Sequence, residues 1–100
     1  LLELDESNFD DIINQDKTVL VDFWAPWCGP CKMMGPLVDN LAQQVGDDVQ
    51  VCKVNVDMNQ QLVQKYDVSS LPTVLVFKTG EVVNQNVGFA PMPKLLEMLS

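Results

Sequence analysis

The chain has 100 residues, of which 47% are hydrophobic and 20% are charged, enough apolar material for one small core and too little chain for several domains. A formal net charge of -8 argues against a nucleic-acid partner or an anionic membrane. No apolar run reaches the roughly 18 residues of a membrane span, and no basic segment leads into an apolar one at the start.

The hydrophobic pattern predicts alternating strands and helices. A helix crossover between the second and third strands favours parallel pairing, whereas the turn at Thr79-Gly80 favours an antiparallel hairpin. We therefore expect one α/β domain over residues 1–100, with a mixed sheet and helices on both faces. In chain order the expected elements are a strand at 1–4, a helix ending at 13, a strand at 18–24, a helix at about 28–45, a strand at 49–56, a helix at 60–66, strands at 73–78 and 81–87, and a helix at 91–99.

Two local signals concern the helices. Ser7 and Asp10 resemble a variant capping box, so we expect them to open the first helix. Pro36 lies inside the long second helix, where it removes a backbone donor and predicts a kink.

Histidine is absent, which removes the usual general base at neutral pH and any Ser-His or Cys-His nucleophile. Proton transfer must then fall to a carboxylate or a lysine. Three cysteines without histidine also cannot complete a four-ligand structural zinc site of the common kinds, so we expect no metal.

The stretch from Val19 to Lys32 sets Cys28 and Cys31 where a buried strand becomes a helix. Free N–H groups and the positive end of the helix dipole would stabilise a Cys28 thiolate. The alternatives are a structural disulfide or two small buried hydrophobes. Because so small a loop restrains little chain entropy, and Gly29-Pro30 gives a rigid surface turn, redox chemistry is favoured.

Two charged residues interrupt apolar strands. Asp22 stands in the run 19–24, where burial would raise its pKa and let it exchange a proton near neutral pH. The alternative is an edge strand with Asp22 facing water. Lys53 interrupts the run 51–56 in the same way, and its alternative is a lysine that faces solvent.

The octapeptide from Trp24 to Cys31, WAPWCGPC, resembles the active-site motif of thioredoxins. The resemblance implies the thioredoxin fold, a central mixed sheet of five strands, or four if the first is lacking, flanked by four helices. It extends over nearly the whole chain, through Asp22, Pro36, Lys53, Leu71-Pro72-Thr73, Gly80 and Gly88.

The resemblance also implies a reaction. Cys28, expected to be the more exposed cysteine, attacks a substrate disulfide, and Cys31 resolves the mixed disulfide. Asp22 would lie behind Cys31 and remove its proton. Lys53 would lie close to Asp22 and, if paired with it, tune its proton affinity.

Leu71-Pro72 carries the prediction of a substrate site. In thioredoxins the corresponding bond is cis, and the Leu71 backbone could pair with an extended substrate segment. The alternative is an ordinary proline that opens a strand. An apolar surface would surround it, supplied by Trp27, Gly29, Pro30, Val56, Val87, Gly88 and Phe89.

The implied function is a general protein-disulfide reductase and electron carrier for disulfide-containing proteins, a cytoplasmic monomer without a bound cofactor. A flavin-dependent thioredoxin reductase would reduce it with electrons from NADPH. Rival interpretations are an oxidant or isomerase on the same fold and a binding subunit that lends its apolar patch to a partner. The Gly29-Pro30 dipeptide favours the reductase.

Three positions depart from the common thioredoxin pattern. Cys52 is expected to be a packed hydrophobe, with a regulatory or dimerising thiol as the alternative. Ser69-Ser70 replaces a frequent glycine, and the segment 89–91 is bulkier than usual. The last two lie on the expected docking surface, so they would change partners without changing the thiol chemistry.

Overall fold

The computed structural model describes all residues from Leu1 to Ser100. All of the expected strands and helices are present, and the long second helix continues without a break across Pro36. One turn of 3-10 helix at Val56–Met58 was not expected, and no helix has the length and apolar character to cross a membrane. The elements are β1 Leu2–Leu4, α1 Phe9–Ile13, β2 Thr18–Trp24, α2 Gly29–Gln44, β3 Val49–Asn55, α3 Gln60–Lys65, β4 Thr73–Lys78, β5 Glu81–Val87 and α4 Met92–Met98.

The five strands form one mixed sheet in the order β1-β3-β2-β4-β5. Strand β3 pairs in parallel with both β1 and β2, whereas β4 pairs antiparallel with β2 and β5. β2 is therefore the central strand, and its residues from Val19 to Phe23 are all buried. The expected mixed sheet of five strands with four helices is confirmed, and the end of β2 delivers the chain to α2.

The two faces of the sheet carry different cores. One, the aromatic face, is covered by α1 and α3 and contains Phe9, Phe23, Phe77 and the partly buried Tyr66. The ring centroids of its paired aromatic residues lie 5.3 to 6.4 Å apart. The other, the α2 face, is covered by α2 and α4. Because side chains alternate along a strand, Asp22 points to the same side as Leu20, which packs on the α2 face.

The start of α1 differs from the expectation. No side chain of the predicted Ser7 and Asp10 box caps the helix; instead Asp5 and Asn8 exchange hydrogen bonds. The Asp5 N–H donates to Asn8 Oδ1 at 2.8 Å, and the Asn8 N–H donates to Asp5 Oδ1 at 3.2 Å. The Ser7 side chain and its N–H also donate to this carboxylate, which lowers the pKa of Asp5. The prediction was wrong because the Ser7 hydroxyl is used as a donor to Asp5.

The turn between β4 and β5 is fastened to α1. Gly80 has a φ of +84°, and its N–H donates to the Ile13 carbonyl at 2.9 Å. Asn14 Oδ1 occupies the place where a Cβ at Gly80 would lie. Glycine is therefore favoured here by its backbone conformation, and a larger residue would also have to displace the Asn14 side chain.

Candidate active site

The two cysteines of the motif lie at the first turn of α2. Cys28 is the N-cap of the helix and Pro30 stands in its first turn, where a missing N–H does no harm. Cys28 and Cys31 are joined by a disulfide with their Cα atoms 5.3 Å apart. The Cys31 N–H donates to Cys28 Sγ at 3.2 Å. A thiolate at Cys28 would keep this donor and meet the positive end of the helix dipole.

The expectation that Cys28 is the more exposed cysteine was wrong for this state. Both cysteines are 5% exposed. The disulfide holds the Cys28 sulfur against the helix, and both residues pack with Ala25 and the partly buried Leu71. The solvent-facing part of the motif is formed by Pro26, Trp27, Gly29 and Pro30.

Asp22 is buried in β2, as predicted, with 3% of its surface exposed. Burial raises the pKa of this carboxyl to about 7, and the positive charge of Lys53 opposes part of that rise. Its Oδ1 atom accepts no hydrogen bond. An edge position facing water is excluded, because β3 and β4 flank β2 on both sides.

A cavity of about 190 Å³ joins Asp22 to Cys31. It has polar groups and is far larger than the roughly 10–15 Å³ that one water requires, so water can enter it and reach both residues. Its remaining walls are Trp24, Ala25, Pro26, Lys32, Gly35 and Lys53. The indole Nε1 of Trp24 is buried there without a partner, like Asp22 Oδ1.

Lys53 stands opposite Asp22 in the register of β2 and β3, which brings the two residues together as expected. Its ammonium, however, forms its ion pair with Glu3, at 3.9 Å from Oε2. The same nitrogen lies 5.0 Å from the centroid of the Trp24 ring. Lys53 therefore acts on Asp22 through its electric field and not through a direct ion pair. The sequence pattern does not single out Glu3, because it does not reveal the register of β1.

The Leu71-Pro72 bond is cis, as the resemblance implied. Pro72 is buried, Leu71 is half-buried, and the Leu71 N–H and C=O make no backbone hydrogen bond. The Gly88 N–H donates to the Pro72 carbonyl at 2.7 Å, which brings the segment after β5 beside the cis-proline. Free backbone groups next to the cysteines are what an added strand would require.

The residues of the expected apolar surface lie in two groups, on either side of the Leu71-Pro72 turn. Trp27, Val56 and Leu71 line one groove of about 150 Å³, together with Ser69, which was expected on the docking surface, and with Val63 and Val68, which were not predicted. Gly88 is half-buried and follows Val87, while Phe89 comes next in the chain. The exposed fractions are 67% for Trp27, 60% for Val87 and 44% for Phe89.

Asp57 is a site residue that sequence reasoning did not find. The Trp27 indole N–H lies 3.0 Å from Oδ2 and 3.2 Å from Oδ1 of this carboxylate. The Asp57 N–H in turn donates to Asn55 Oδ1 at 2.9 Å. An Asn two residues before an Asp indicates a turn, but not contact with an indole thirty residues away.

Cys52 differs from the other two cysteines. It is fully buried in the aromatic face, and burial raises the pKa of its thiol to about 12. The packed-hydrophobe interpretation agrees with this environment, whereas a regulatory or dimerising thiol would have to be accessible. No group of three or more acidic or cysteine side chains is arranged to hold a metal ion.

The disulfide joins two cysteines three positions apart in the sequence, at the first turn of the helix that follows the central strand. This arrangement defines a thiol-disulfide oxidoreductase. The chain belongs to the thioredoxin family, whose model matches residues 1–100. It is 52% identical to the thioredoxin of Bacillus subtilis over 82 residues, 82% of this chain and 79% of that one. With the thioredoxin of Haemophilus influenzae it shares 41% over 101 residues, 100% of this chain and 94% of that one. The solved thioredoxin Mala s 13 of Malassezia sympodialis matches with a TM-score of 0.90 at 36% identity, covering 98% of this chain and 88% of that one.

Family membership and the cysteine pair together make the protein a dithiol redox carrier. In general terms the family implies disulfide-containing substrates and a reductase as partners.

Proposed function

We propose that the protein is a general protein-disulfide reductase in which Cys28 is the nucleophile. In the reduced protein the Cys28 thiolate attacks one sulfur of a substrate disulfide, forms a mixed disulfide, and releases the other substrate sulfur as a thiolate. The observation that carries this assignment is the Cys31 N–H directed at Cys28 Sγ, 3.2 Å away at the N-cap of α2. A donor fixed there stabilises the thiolate before any substrate arrives.

Cys31 then completes the transfer. Asp22 takes the Cys31 proton through water in the shared cavity, and the new thiolate attacks Cys28 Sγ. The mixed disulfide breaks, the substrate leaves as a dithiol with two added electrons, and the protein keeps the Cys28-Cys31 disulfide. With its pKa near 7, Asp22 has both protonation states available at neutral pH.

Substrate docking would use the free backbone of Leu71 for strand pairing, beside the cis Pro72. Apolar contacts would come from the groove beside Trp27 and from the exposed Val87 and Phe89, while the exposed Gly29 and Pro30 let a substrate approach the cysteines. Main-chain pairing with a small apolar patch reads little side-chain identity, so specificity would be broad. We further propose that an NADPH-dependent flavin reductase returns the two electrons, in a reducing compartment such as the cytoplasm.

The order of the two cysteines is tested by trapping. In a Cys52→Ala background, Cys31→Ser should accumulate mixed disulfides with an insulin substrate, because nothing resolves them. The matched variant Cys28→Ser should accumulate none. Non-reducing gels with mass spectrometry of the adducts measure both, and equal trapping by the two variants would overturn the assignment.

The direction of electron flow is tested by the reduction potential of the Cys28-Cys31 couple, equilibrated with glutathione. Well-characterised thioredoxin has a potential of about -270 mV and protein disulfide isomerase one of about -180 mV, and these established values serve as the two reference points. We expect a value near the former. A potential near the latter would replace the reductase with an isomerase or oxidant.

A further inference from the structure

Three charged side chains stand in one row across the sheet. Lys53 on β3 is the register partner of Glu3 on β1 and of Asp22 on β2, so its neighbours on both sides are carboxylates. Residues in register on adjacent parallel strands point to the same face. Glu3 is half exposed at the edge of the sheet, and Asp22 is buried at its centre. The Lys53 ammonium can therefore approach either carboxylate.

The ammonium is held on the outer side of this row. It lies 3.9 Å from Glu3 Oε2 on the edge strand, and this contact favours the outer position. On the inner side, Asp22 Oδ1 is buried without any hydrogen-bond partner. Buried carboxylate oxygens are normally hydrogen-bonded, yet the register partner Lys53 directs its ammonium to Glu3 and leaves Asp22 Oδ1 without a partner.

We propose that Glu3 is a positioning residue: its carboxylate holds the Lys53 ammonium out of direct contact with Asp22, which keeps the Asp22 carboxyl free to exchange a proton with Cys31. This proposal rests on the proton-carrying role proposed above for Asp22. It assigns a role in that chemistry to a surface residue of the short first strand.

The other groups around Asp22 do not provide the same control. Strand β4 places the apolar Val74 opposite it. Helix α2 contributes Cys31 and Lys32 to the same cavity. The charged residues of α4, Lys94 and Glu97, pair with each other at 3.8 Å and do not line the cavity. Among the positive charges, only Lys53 lowers the pKa of Asp22. Burial raises the pKa of Asp22, and the position of Lys53 sets how much of that rise is offset.

The test is a titration of the Asp22 carboxyl by carbon-13 NMR in the oxidised protein. In Glu3→Gln the ammonium loses its outer partner and can turn toward Asp22, so the pKa of Asp22 should fall by about half a pH unit, roughly a threefold change in its protonation equilibrium. Asp10→Asn is the matched control, because it breaks the exposed pair with Lys65 on the opposite face and changes the net charge equally. It should leave the Asp22 titration unchanged.

The same substitution in a Lys53→Met background distinguishes the positioning of the Lys53 ammonium from the simple loss of the Glu3 negative charge. In Lys53→Met the substitution Glu3→Gln should no longer change the pKa of Asp22, since the group that it releases is gone. The proposal would be overturned if Glu3→Gln left the pKa of Asp22 unchanged. It would also be overturned if Glu3→Gln lowered that pKa equally in the wild-type and Lys53→Met backgrounds.

The rate of mixed-disulfide resolution, measured as a function of pH, distinguishes the positioning role of Glu3 from the proton-carrying role of Asp22. If Asp22 carries the proton, the midpoint of this profile should move in Glu3→Gln together with the titration. If Asp22→Asn leaves resolution unchanged while the titration still shifts, the proton-carrying role fails and the positioning by Glu3 stands.

Discussion

The two faces of the sheet differ in the character of the side chains that they bury. The buried core of the aromatic face is made of hydrophobic residues, and burial keeps its one thiol, Cys52, neutral. The α2 face carries Asp22, whose Oδ1 is buried without a partner, beside a cavity that reaches Cys31. A buried carboxyl without hydrogen bonds lowers stability, and it persists here only because the rest of the fold outweighs it.

The same contrast separates the cysteines. Cys28 stands at a helix start with an N–H directed at its sulfur, whereas Cys52 lies among apolar side chains, where burial raises the pKa of its thiol more than the charge of the N-terminus lowers it. One residue type is therefore reactive or inert according to its surroundings. Substitutions on each side of the sheet can test this division of the molecule into a stabilising face and a reactive face.

The largest effect is expected on the aromatic face. Phe9→Ala removes a fully buried ring that contacts Phe23, Tyr66 and Phe77, so it should lower the free energy of unfolding by about 3–5 kcal/mol. Urea unfolding measures this loss, while insulin reduction per folded molecule should stay the same. The exposed Phe89→Ala should show the reverse, with stability changed by under about 0.5 kcal/mol and a raised KM for protein substrates. A large stability loss in both variants would contradict the division.

Asp22→Asn should stabilise the protein and slow it at the same time. Below about pH 4 the carboxyl is protonated whether the chain is folded or not. Between about pH 4 and 7 the unfolded chain loses this proton and the folded chain keeps it, so wild-type stability falls as the pH rises through that window. Above pH 7 the gain from Asp22→Asn should reach about 2–4 kcal/mol.

Urea unfolding of the oxidised protein at pH 4 and pH 8 measures this difference, with the exposed Asp39→Asn as the matched control. Resolution of the mixed disulfide should slow near neutral pH in Asp22→Asn alone. Equal gains in stability at both pH values would show that the effect is not the ionisation of Asp22.

Cys52 should behave as a hydrophobe. Iodoacetamide should modify the reduced native protein at Cys28 and leave Cys52 unreacted until the chain is unfolded in urea, because a buried thiol with a pKa near 12 supplies almost no thiolate. Cys52→Ala should lower the free energy of unfolding by about 1–2 kcal/mol without changing insulin reduction. Modification of native Cys52 at the rate of Cys28 would remove the contrast between them.

The smallest effect is expected from Asp57, whose carboxylate accepts a hydrogen bond from the Trp27 indole N–H. Asp57→Asn keeps an acceptor oxygen for the indole N–H but removes the charge, so substrate affinity should weaken about two- to fivefold. The KM for insulin reduction measures this effect, and the thiolate titration of Cys28 should remain as in the wild type. A change in that titration would mean that Asp57 acts on the thiol and not on the docking surface.

Much of this arrangement can be predicted from the sequence, because the relevant signals are local. Apolar runs and the turn at Gly80 predict the strands and their order along the chain, and an Asp inside the run 19–24 predicts its own burial. The position of Cys28 at a helix start is equally local.

The remaining features depend on contacts between residues far apart in the chain. Glu3 meets Lys53, and Asp57 meets Trp27, only through the folded sheet and the turn after β3. The periodicity of apolar residues in the sequence does not predict such pairs. The error at Ser7 has another cause, because a hydroxyl both donates and accepts, and the neighbouring Asp5 carboxylate is the stronger acceptor. Cys28 and Cys31 are equally exposed in the disulfide form of the protein, and a pattern of residues does not state the redox form.

The fastening of Gly80 to α1 has a practical consequence for anyone labelling this protein. The tip of a hairpin is the usual place to insert an epitope or a fluorophore, since such tips tolerate extra chain. Here the tip donates to the Ile13 carbonyl and lies against Asn14, so an insertion would detach it from the helix that covers the aromatic face. A probe placed at this turn would therefore report the docking of α1 and would not be a silent tag.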